Sequence, residues 1–531
     1  MMPFKKISLI LACSALILSC AQDKSGHDRE LEKKIDRLVT KMTLEEKIGQ
    51  MNQISSFSNQ VDEELANAIR KGLVGSLINE VDPSRVNTYQ KIAVEGSRLG
   101  IPLIIGRDVI HGFKTIFPIP LGLAATFNPS LVEQGARAAA VEASSTGVRW
   151  TFSPMLDISR DPRWGRIAES FGEDTYLTSV MGVAMVKGYL GDGPADPTSL
   201  ASCVKHFAGY GAAEGGRDYN STFIPERLLR NVYLPPFSAA LQAGALTAMT
   251  SFNDNDGVPS TGNRFLLRDV LRDEWGFHGF VVSDWTSINE MISHGFAEDA
   301  SHAAQLALKA GVDMDMMSFA YSAHLEELVK QGMVSEKLID QAVGNILRVK
   351  FLLGLFDNPY VDEQLHDHVF YAPEHLELAR KSALESMVLL ANDGTLPLDA
   401  KKIRTLLVTG PLADAPYDQL GTWVFDGEEQ STVTPLEAFR ERYGNEVHIL
   451  YEPGLVHSRD TDPAGIRRAV AAAHRADAVL VVVGEESILS GEAHCLADLN
   501  LQGAQGELIA ALASAGKPLI TVVMAGRPLS I

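Results

Sequence analysis

Short apolar runs alternate with amphipathic helical patterns along most of the chain, and this alternation predicts repeated βα units around a parallel sheet. The runs predict seven strands in the first two thirds of the chain, at Val74–Ile78, Pro102–Gly106, Trp150–Leu156, Ala201–Lys205, Ala248–Phe252, Gly279–Ser283 and Val312–Met316. Seven candidates over about 250 residues are typical of a (β/α)8 TIM-like barrel. The sequence therefore predicts an α/β fold whose first domain, residues 31–356, is such a barrel.

Residues that start and stop helices support this alternation. Asn128 before Pro129 supplies an N-cap and a favoured first helical residue. Ser335 likewise opens a helix with one apolar stripe, and Gly354 lies near its end. The polar, proline-containing residues 357–380 are predicted to form a linker.

A second alternation of strands and helices follows and predicts a separate α/β/α sandwich domain over residues 381–531. Its strands are predicted at Thr405–Thr409, Val447–Tyr451, Ala478–Val483 and Leu519–Met524. Because no helical pattern follows the last strand, we expect this domain to be incomplete at its C-terminal end.

Residues 1–20 have the pattern of a secretion signal. Two lysines precede an apolar run over residues 7–18, which is too short to span a bilayer as a mature helix. A small residue followed by Cys20 resembles the bacterial lipobox, so we expect Cys20 to be lipidated and residues 21–30 to form a tether. This predicts a periplasmic or outer-membrane-tethered lipoprotein of a Gram-negative bacterium. An ordinary signal peptide that contains a cysteine is the alternative.

Charge and cysteine content exclude several classes of function. The net charge of −20 argues against nucleic-acid binding, because no basic patch offsets it. Outside the predicted signal only Cys203 and Cys495 are left, too few for a disulfide framework, so we expect two free thiols. No side chains have the spacing of metal ligands, so no metal and no cofactor are expected.

Polar side chains follow many of the predicted strands, and Asp284 is the most informative of them. It ends the apolar run 279–283 and precedes Trp285, which is how a barrel strand presents a carboxylate at its catalytic mouth. Six segments share this type of placement: Gly-Arg-Asp-Val-Ile-His-Gly (106–112), Asp-Pro-Arg-Trp-Gly-Arg (161–166), Lys-His-Phe-Ala-Gly-Tyr-Gly (205–211), Met-Thr-Ser-Phe-Asn (249–253), Ser-Asp-Trp (283–285) and Ser-Gly-Glu-Ala (490–493). Each alone also fits a structural role, such as a helix cap or a salt bridge.

Together these segments resemble glycoside hydrolase family 3, and specifically its exported β-glucosidases. The most specific motifs are Phe-Pro-Ile-Pro-Leu-Gly (117–122), Asp-Pro-Arg-Trp-Gly-Arg (161–166) and Lys-His-Phe (205–207) followed by Gly-Ala-Ala-Glu-Gly-Gly-Arg-Asp-Tyr-Asn (211–220). Arg-Val-Lys-Phe-Leu-Leu-Gly-Leu-Phe (348–356) and Leu-Leu-Ala-Asn-Asp-Gly (389–394) extend the match across the domain junction. The resemblance covers the chain from residue 30 onward.

The resemblance implies a retaining mechanism that uses two carboxylates. Asp284 would be the nucleophile that forms a glycosyl-enzyme. Glu492, in a loop of the second domain, would be the general acid and base. Glu485 and Glu486 lie nearby in the sequence and remain alternatives for the acid.

The resemblance also implies which residues bind sugar. The first sugar would be held by Asp108, Arg166, Lys205 and His206. Carboxylate and cationic side chains suit this role because they bond adjacent hydroxyls in a fixed geometry. Trp285 and Trp423 match aromatic residues that flank the next sugar, although Trp423 also fits a core position. Phe252 stands where some relatives have a tyrosine.

The function implied by the resemblance is an exo-acting retaining β-glucosidase that cleaves β-glucoside oligosaccharides or aryl glucosides. A β-xylosidase or α-L-arabinofuranosidase of the same family is an alternative, because xylose lacks only the exocyclic hydroxymethyl group. A β-N-acetylglucosaminidase is disfavoured, since residues 208–211 lack the proline and second histidine of those enzymes. A surface lipoprotein that binds glycans without cleaving them is an alternative of a different class.

Overall fold

Two parallel β-sheets form the centre of the structure, a computed structural model that describes residues 29–56, 58–399 and 401–531. The predicted signal peptide, Cys20 and most of the predicted tether lie outside the described residues. Within the described residues, no helix is long and apolar enough to cross a membrane.

The first sheet is a barrel of eight parallel strands. In chain order its strands and one inserted antiparallel pair, β7 and β8, are β1 (Asn52–Ser55), β2 (Ser76–Ile78), β3 (Ile104–Arg107), β4 (Trp150–Thr151), β5 (Ala201–Phe207), β6 (Thr247–Thr250), β7 (Asp254–Asn255), β8 (Val258–Pro259), β9 (Phe280–Val282) and β10 (Asp315–Met316). The strand order is β10-β1-β2-β3-β4-β5-β6-β9, and a parallel bridge between Val282 and Met314 joins the two edges. The barrel is therefore nearly closed, which confirms the predicted (β/α)8 TIM-like fold.

The barrel strands are buried because helices cover the outside of the sheet and side chains fill its interior. All seven residues of β5 are buried. The Trp150 ring packs edge-on against Phe152 and Phe280, with ring centroids 4.7 and 4.9 Å apart. Its indole N–H donates to Thr247 Oγ1 at 2.8 Å, so this polar group is also satisfied inside the barrel.

Two barrel strands differ from the prediction. Strand β1 was missed because three of its four residues are polar; Gln53 Nε2 is instead satisfied by Ser76 Oγ at 2.8 Å. Strand β4 ends at Thr151 rather than Leu156. Pro154 lies in the remainder of that apolar run, and a proline has no amide proton to donate to a neighbouring strand.

The helices around the barrel are α1 (29–41), α2 (Leu44–Gln50), α3 (Glu63–Arg70), α4 (Pro83–Gly96), α5 (Pro120–Ala125), α6 (Pro129–Ser144), α7 (Thr175–Leu190), α8 (Glu226–Leu228), α9 (Pro235–Gln242), α10 (Ser287–Ser293), α11 (Ala300–Ala310), α12 (Ala320–Lys330) and α13 (Glu336–Leu352). Two π-helical stretches, Leu229–Tyr233 and Phe265–Glu274, also connect barrel strands. The predicted N-caps are present: the Asn128 side chain accepts from the Leu131 amide, and that of Ser335 from the Lys337 amide.

The segment predicted as a linker, 357–380, contains helix α14 (His366–Val369) and much of α15 (Pro373–Ser386). Pro373 takes the first helical position of α15, where a missing amide proton costs nothing. The helix is attached to the barrel: His375 Nδ1 lies 3.0 Å from Glu142 Oε1, and Glu385 accepts from Asn128. The segment is therefore polar because it contains an exposed helix on the barrel surface, and the prediction of a linker was wrong there.

The second sheet consists of β11 (Thr405–Thr409), β12 (His448–Tyr451), β13 (Ala478–Gly484) and β14 (Leu519–Met524), in the order β12-β11-β13-β14. Helices α16 (Pro435–Tyr443), α17 (Pro463–Ala473) and α18 (Gln505–Ala513) accompany it. Leu407 packs with residues of α17 and α18, whereas Leu406 on the other face packs with Leu436 of α16. Helices therefore cover both faces, which agrees with the predicted α/β/α sandwich.

The two cysteines outside the predicted signal are free thiols, as expected. Cys203 is buried within β5, and Cys495 is exposed in a loop of the second domain.

Candidate active site

The carboxyl ends of β3 and β5 bring a lysine and an aspartate together at the barrel mouth. Lys205 Nζ donates to Asp108 Oδ1 at 3.0 Å, and the lysine is only 2% exposed. Burial alone would lower the pKa of Lys205, but the adjacent Asp108 carboxylate raises it, so the lysine remains charged. The pair supplies both a cation and hydrogen-bond acceptors at one edge of the mouth.

Arg166 lies in a 3-10 turn (Gly165–Glu169) beside this pair and is fully buried. Its Nε and Nη2 donate to the two oxygens of Glu169, at 2.9 and 3.0 Å. Nη2 also lies 2.9 Å from Nε2 of His206. The remaining nitrogen, Nη1, is buried without a hydrogen bond in the described structure, and it lies 3.5 Å from Glu492 Oε2.

His206 is held in one tautomer by its two neighbours. Because Arg166 can only donate, Nε2 of the imidazole accepts, and Nδ1 carries the proton that it donates to Asp157 Oδ2 at 2.8 Å. Burial and the nearby cations lower the pKa of His206 well below its usual range, so the ring is neutral. Burial likewise raises the pKa of Asp157, to about 7. Asp157 therefore orients the ring so that Nε2 faces Asp284 at the mouth.

Asp284 enters the mouth two residues after the end of β9. Its Oδ1 accepts from the Trp285 amide at 2.7 Å, and its Oδ2 lies 3.5 Å from His206 Nε2. Oδ2 is buried and has no hydrogen bond within the described residues. Burial raises the pKa of Asp284 to about 8; Arg166 and Lys205 oppose this rise, and Glu492 adds to it.

Glu492 comes to the same mouth from the second domain. Its Oε1 accepts a 2.6 Å hydrogen bond from the Tyr219 hydroxyl, and its Oε2 faces Arg166. Its side chain is 25% exposed, so the carboxyl group is open to solvent or ligand. Glu492 and Asp284 thus lie at the two ends of a short chain of contacts that runs through Arg166 and His206.

The two alternative acids are bound elsewhere. Glu485 is buried against Arg527, with Oε1 3.1 Å from Nε of the arginine. Glu486 accepts from the Ser458 hydroxyl and lies near Arg459, both within the second domain. Of the three glutamates, Glu492 is the one in contact with the residues of the mouth.

The loop that carries Glu492 is fitted against the barrel by backbone contacts. The Gly491 amide donates to the Gly165 carbonyl at 2.8 Å, and the Leu496 amide to the Arg163 carbonyl at 2.9 Å. A Cβ atom at Gly165 would lie 2.2 Å from the Gly491 oxygen, so only glycine permits this approach. The motif 161–166 therefore positions both Arg166 and the loop opposite it.

Two further side chains fix this loop. The Asp218 carboxylate of the barrel accepts from the Ala493 amide at 2.8 Å and from the Trp164 indole at 2.8 Å. The buried Arg527 of the second domain donates to four backbone carbonyls on both sides of the contact, those of Pro162, Arg163, Leu489 and His494. Its charge is balanced by Glu485.

A second loop of the sandwich domain covers another edge of the mouth. Arg107 at the end of β3 donates to both oxygens of Asp426, at 2.9 and 3.1 Å. The Trp423 ring on this loop lies 5.1 Å from Lys205 Nζ and 5.4 Å from Arg166 Cζ, within the range of cation–π contacts. Trp423 is thus a wall of the mouth and not a core residue of the second domain.

The remaining aromatic residues form one cluster. Phe252 is 5% exposed and packs in a small cluster with Met155, Trp164 and Tyr210, against which Trp285 also lies. The Phe252 ring meets the Tyr219 ring edge-on at 5.1 Å. Phe252 is thus mostly covered by its neighbours, and Trp285 is the more accessible of the two.

All the sequence-predicted sugar and catalytic residues of the described chain therefore lie around one mouth, and the structure adds five that were not singled out. These are Asp157, Glu169, Asp218, Tyr219 and Arg527. Asp218 and Tyr219 lie inside the motif 211–220, which indicates their place in the chain but not their contacts. Nothing in the sequence near Arg527 indicates a contact with the motif 161–166.

Comparison with known proteins agrees with this geometry. Residues 43–349 match the glycosyl hydrolase family 3 N-terminal domain, and residues 387–531 match the C-terminal domain of the same family. The chain belongs to glycosyl hydrolase family 3. It is therefore a glycoside hydrolase with a TIM-like barrel and a second α/β domain.

The chain is similar to individual beta-glucosidases and beta-xylosidases. The chain is 43% identical over 519 residues to a periplasmic beta-glucosidase of Salmonella typhimurium, covering 93% of this chain and 68% of the relative. It is 36% identical to a beta-xylosidase of Formosa agariphila, covering 96% and 69%. A crystal structure of beta-glucosidase from Listeria innocua in complex with glucose superposes with a TM-score of 0.88 at 39% identity, covering 94% of this chain and 70% of that one.

Replacing Arg527 by methionine is expected to destabilise the contact between the two domains. The substitution removes the donors to four carbonyls and leaves Glu485 buried without its cation. Breaking a buried ion pair from one side costs about 3–5 kcal/mol, so the urea-unfolding free energy should fall by roughly that amount. Arg527→Met combined with Glu485→Gln should recover part of the loss, because no uncompensated charge is left.

The matched control is Arg468→Met, which breaks an ion pair with Glu452 whose arginine is 61% exposed. That change should alter the unfolding free energy by less than about 1 kcal/mol. Equal losses for Arg527→Met and Arg468→Met would contradict a special role for the buried pair.

Proposed function

We propose that this glycoside hydrolase is an exo-acting β-glucosidase that retains the anomeric configuration. The observation that carries the proposal is the pair of carboxylates from different domains, Asp284 and Glu492, which share one mouth through Arg166 and His206. Two carboxyl groups that flank one bond are what glycoside hydrolysis requires.

In the first step, Asp284 attacks the anomeric carbon through Oδ2, the oxygen without a hydrogen bond in the described residues. The C1–O bond breaks as a covalent glycosyl-enzyme forms, and Glu492 donates its proton to the departing oxygen. In the second step, Glu492 takes a proton from water, and that water displaces Asp284 from C1. Both inversions together retain the configuration.

The buried polar groups would bind the glucosyl unit. Asp108 accepts hydrogen bonds from sugar hydroxyls, while Lys205 and Arg166 Nη1, which has no hydrogen bond within the described residues, donate to them. Neutral His206, held by Arg166 and Asp157, lines the mouth beside the attacking carboxylate. Arg166 and Lys205 also favour the ionised form of Asp284 that the reaction needs.

Aromatic rings would flank the leaving group. Trp423 lies over Lys205 and Trp285 beside the Phe252 cluster, and a flat ring against the apolar face of a pyranose is a common sugar contact. The two loops of the second domain that carry Trp423 and Glu492 contact the barrel at the mouth. The proposed substrates, β-glucoside oligosaccharides or aryl glucosides cleaved at the chain end, follow from the resemblance to the exported β-glucosidases of the family.

The relatives support the choice of glucose as the sugar that is released. The Salmonella relative is a beta-glucosidase, and the Listeria structures include complexes with glucose, laminaribiose and isofagomine. β-Xylosidase activity is the second candidate, because the Formosa relative carries that name. The ratio of kcat/KM for p-nitrophenyl β-glucoside and β-xyloside decides between them, and a higher value for the xyloside would reverse the assignment.

We also propose export to the periplasm, with a lipid on Cys20 as the anchor. The support is the predicted signal and the periplasmic name of the Salmonella relative.

A mechanism-based label should mark Asp284. After incubation with a dinitrophenyl 2-deoxy-2-fluoro-β-glucoside, mass spectrometry of the intact chain is expected to show one added fluoroglucosyl group. The fluorine slows both steps, but the good leaving group allows the first, so the glycosyl-enzyme accumulates. Peptide mapping should place the label on the peptide with Asp284, and Asp284→Asn should take up none. A label on any other carboxylate would reassign the nucleophile.

Substitution of Glu492 should separate substrates by leaving group. Glu492→Gln is expected to lower kcat/KM for a phenyl glucoside by about 100-fold or more, whereas a dinitrophenyl glucoside, which needs no proton, is largely spared. Glu492→Ala should also be accelerated by azide with a β-glucosyl azide as product, because azide attacks the glycosyl-enzyme without a general base. If both substrates are affected equally and azide has no effect, the acid is another group. Glu486→Gln is the matched control, because Glu486 contacts Ser458 and Arg459 away from the mouth.

In a plot of kcat/KM against pH, the apparent pKa of the acid limb should lie above the ordinary aspartate pKa of about 4. Asp284 attacks as a carboxylate and burial raises its pKa to about 8, so protonation removes the nucleophile as pH falls through the raised value. Lys205 lowers this pKa, so Lys205→Met should shift the limb to higher pH. The exposed Lys187→Met is the control and should leave it in place. An apparent pKa of about 4 in the unchanged protein, Lys205→Met and Lys187→Met alike would contradict the assignment of this limb to Asp284.

A further inference from the structure

Tyr219 makes a short hydrogen bond to the carboxyl group of the proposed acid and base. Its hydroxyl donates to Glu492 Oε1 at 2.6 Å, and its ring stands edge-on to Phe252, at 5.1 Å and 87°. Burial and the adjacent Glu492 raise the pKa of the Tyr219 phenol, so the hydroxyl keeps its proton. The contact joins a barrel loop to the loop of the second domain.

The backbone around this contact is held in an unfavourable conformation on both sides. Tyr219 has φ 63° and Ala493 has φ 61°, in the left-handed region that non-glycine residues rarely adopt. One carboxylate binds both residues: Asp218 Oδ1 accepts from the Tyr219 amide at 3.2 Å, and Oδ2 from the Ala493 amide at 2.8 Å. Such conformations persist only where surrounding contacts over-determine them.

The geometry points to Tyr219 as a positioning residue for Glu492, and we propose this role as a deepening of the proposed function, on which it rests. The hydroxyl engages Oε1 and thereby selects Oε2 as the oxygen that carries and delivers the proton. Oε2 is the oxygen that faces Arg166 and the interior of the mouth. Asp218 fixes the backbone on both sides, so the hydroxyl and the carboxyl keep their separation.

This arrangement has a consequence for each step of the reaction. While Glu492 is protonated, the Tyr219 hydrogen bond occupies Oε1 and holds the acidic proton on Oε2, directed at the leaving oxygen. After the proton is transferred, the same hydrogen bond stabilises the carboxylate that must activate water. Tyr219 itself transfers no proton and touches no reacting atom.

The test compares Tyr219→Phe with Tyr176→Phe across aryl β-glucosides of graded leaving-group acidity, using the full chain. Phenylalanine retains the ring contact with Phe252 and removes only the hydroxyl, while Tyr176 is 78% exposed and serves as the control. For Tyr219→Phe, kcat/KM for phenyl glucoside should fall about tenfold, the effect expected for loss of a hydrogen bond to a charged group. The dinitrophenyl glucoside should be nearly unaffected, so the plot of log kcat/KM against leaving-group pKa becomes steeper.

Three results separate the possible failures. Equal loss for both substrates would mean that Tyr219 only supports the fold, and no loss for either would mean that its hydroxyl does not act on Glu492; both overturn the proposal. If Glu492→Gln, measured in parallel, also lacks a dependence on the leaving group, the proposed acid itself is wrong. The rate of labelling by the dinitrophenyl fluoroglucoside checks that each variant is folded and keeps its nucleophile.

Discussion

The buried guanidinium of Arg166 is the interaction on which the rest of the site depends. A charge with no exposed surface is costly unless it is paired, and here Glu169 accepts two hydrogen bonds from it. Burial alone would lower the pKa of Arg166, but Glu169 and Glu492 raise it well above its usual value, so it stays charged. Nη2 also contacts His206 and Nη1 faces Glu492, which places one cation between the nucleophile side and the acid side of the mouth.

The site belongs to neither domain alone. Asp284, Lys205 and His206 come from barrel strands, whereas Glu492 and Trp423 come from loops of the sandwich domain. The loops are held by different means: Arg107–Asp426 is a mostly buried ion pair between two side chains, and Arg527 is a buried donor to backbone carbonyls. Because the chemistry needs both carboxylates about 3–3.5 Å from the atoms on which they act, the stability of the domain contact is itself a condition for catalysis.

Much of the fold was accessible to sequence reasoning, and the exceptions have identifiable causes. Strand β13 is a continuous apolar run and was recognised almost to the residue. Strand β1 was missed because Gln53 and Asn52 are polar, although their side chains find partners inside the barrel. The helix α15 was read as a linker, because an exposed helix on the barrel has the polar composition of a loop. Polarity misled the prediction in both failures: buried polar side chains concealed strand β1, and an exposed polar surface concealed helix α15.

By itself the sequence determined the order of strands and helices, the family, and the strand ends at which polar side chains collect. These properties depend on local patterns of apolar residues, caps and short motifs. Only the tertiary structure decided that Glu485 forms an ion pair with Arg527, that Trp423 faces the mouth, and that Tyr219 donates a hydrogen bond to Glu492. The last two residues lie 273 positions apart, and such a contact is set by how two domains pack, which no local pattern records.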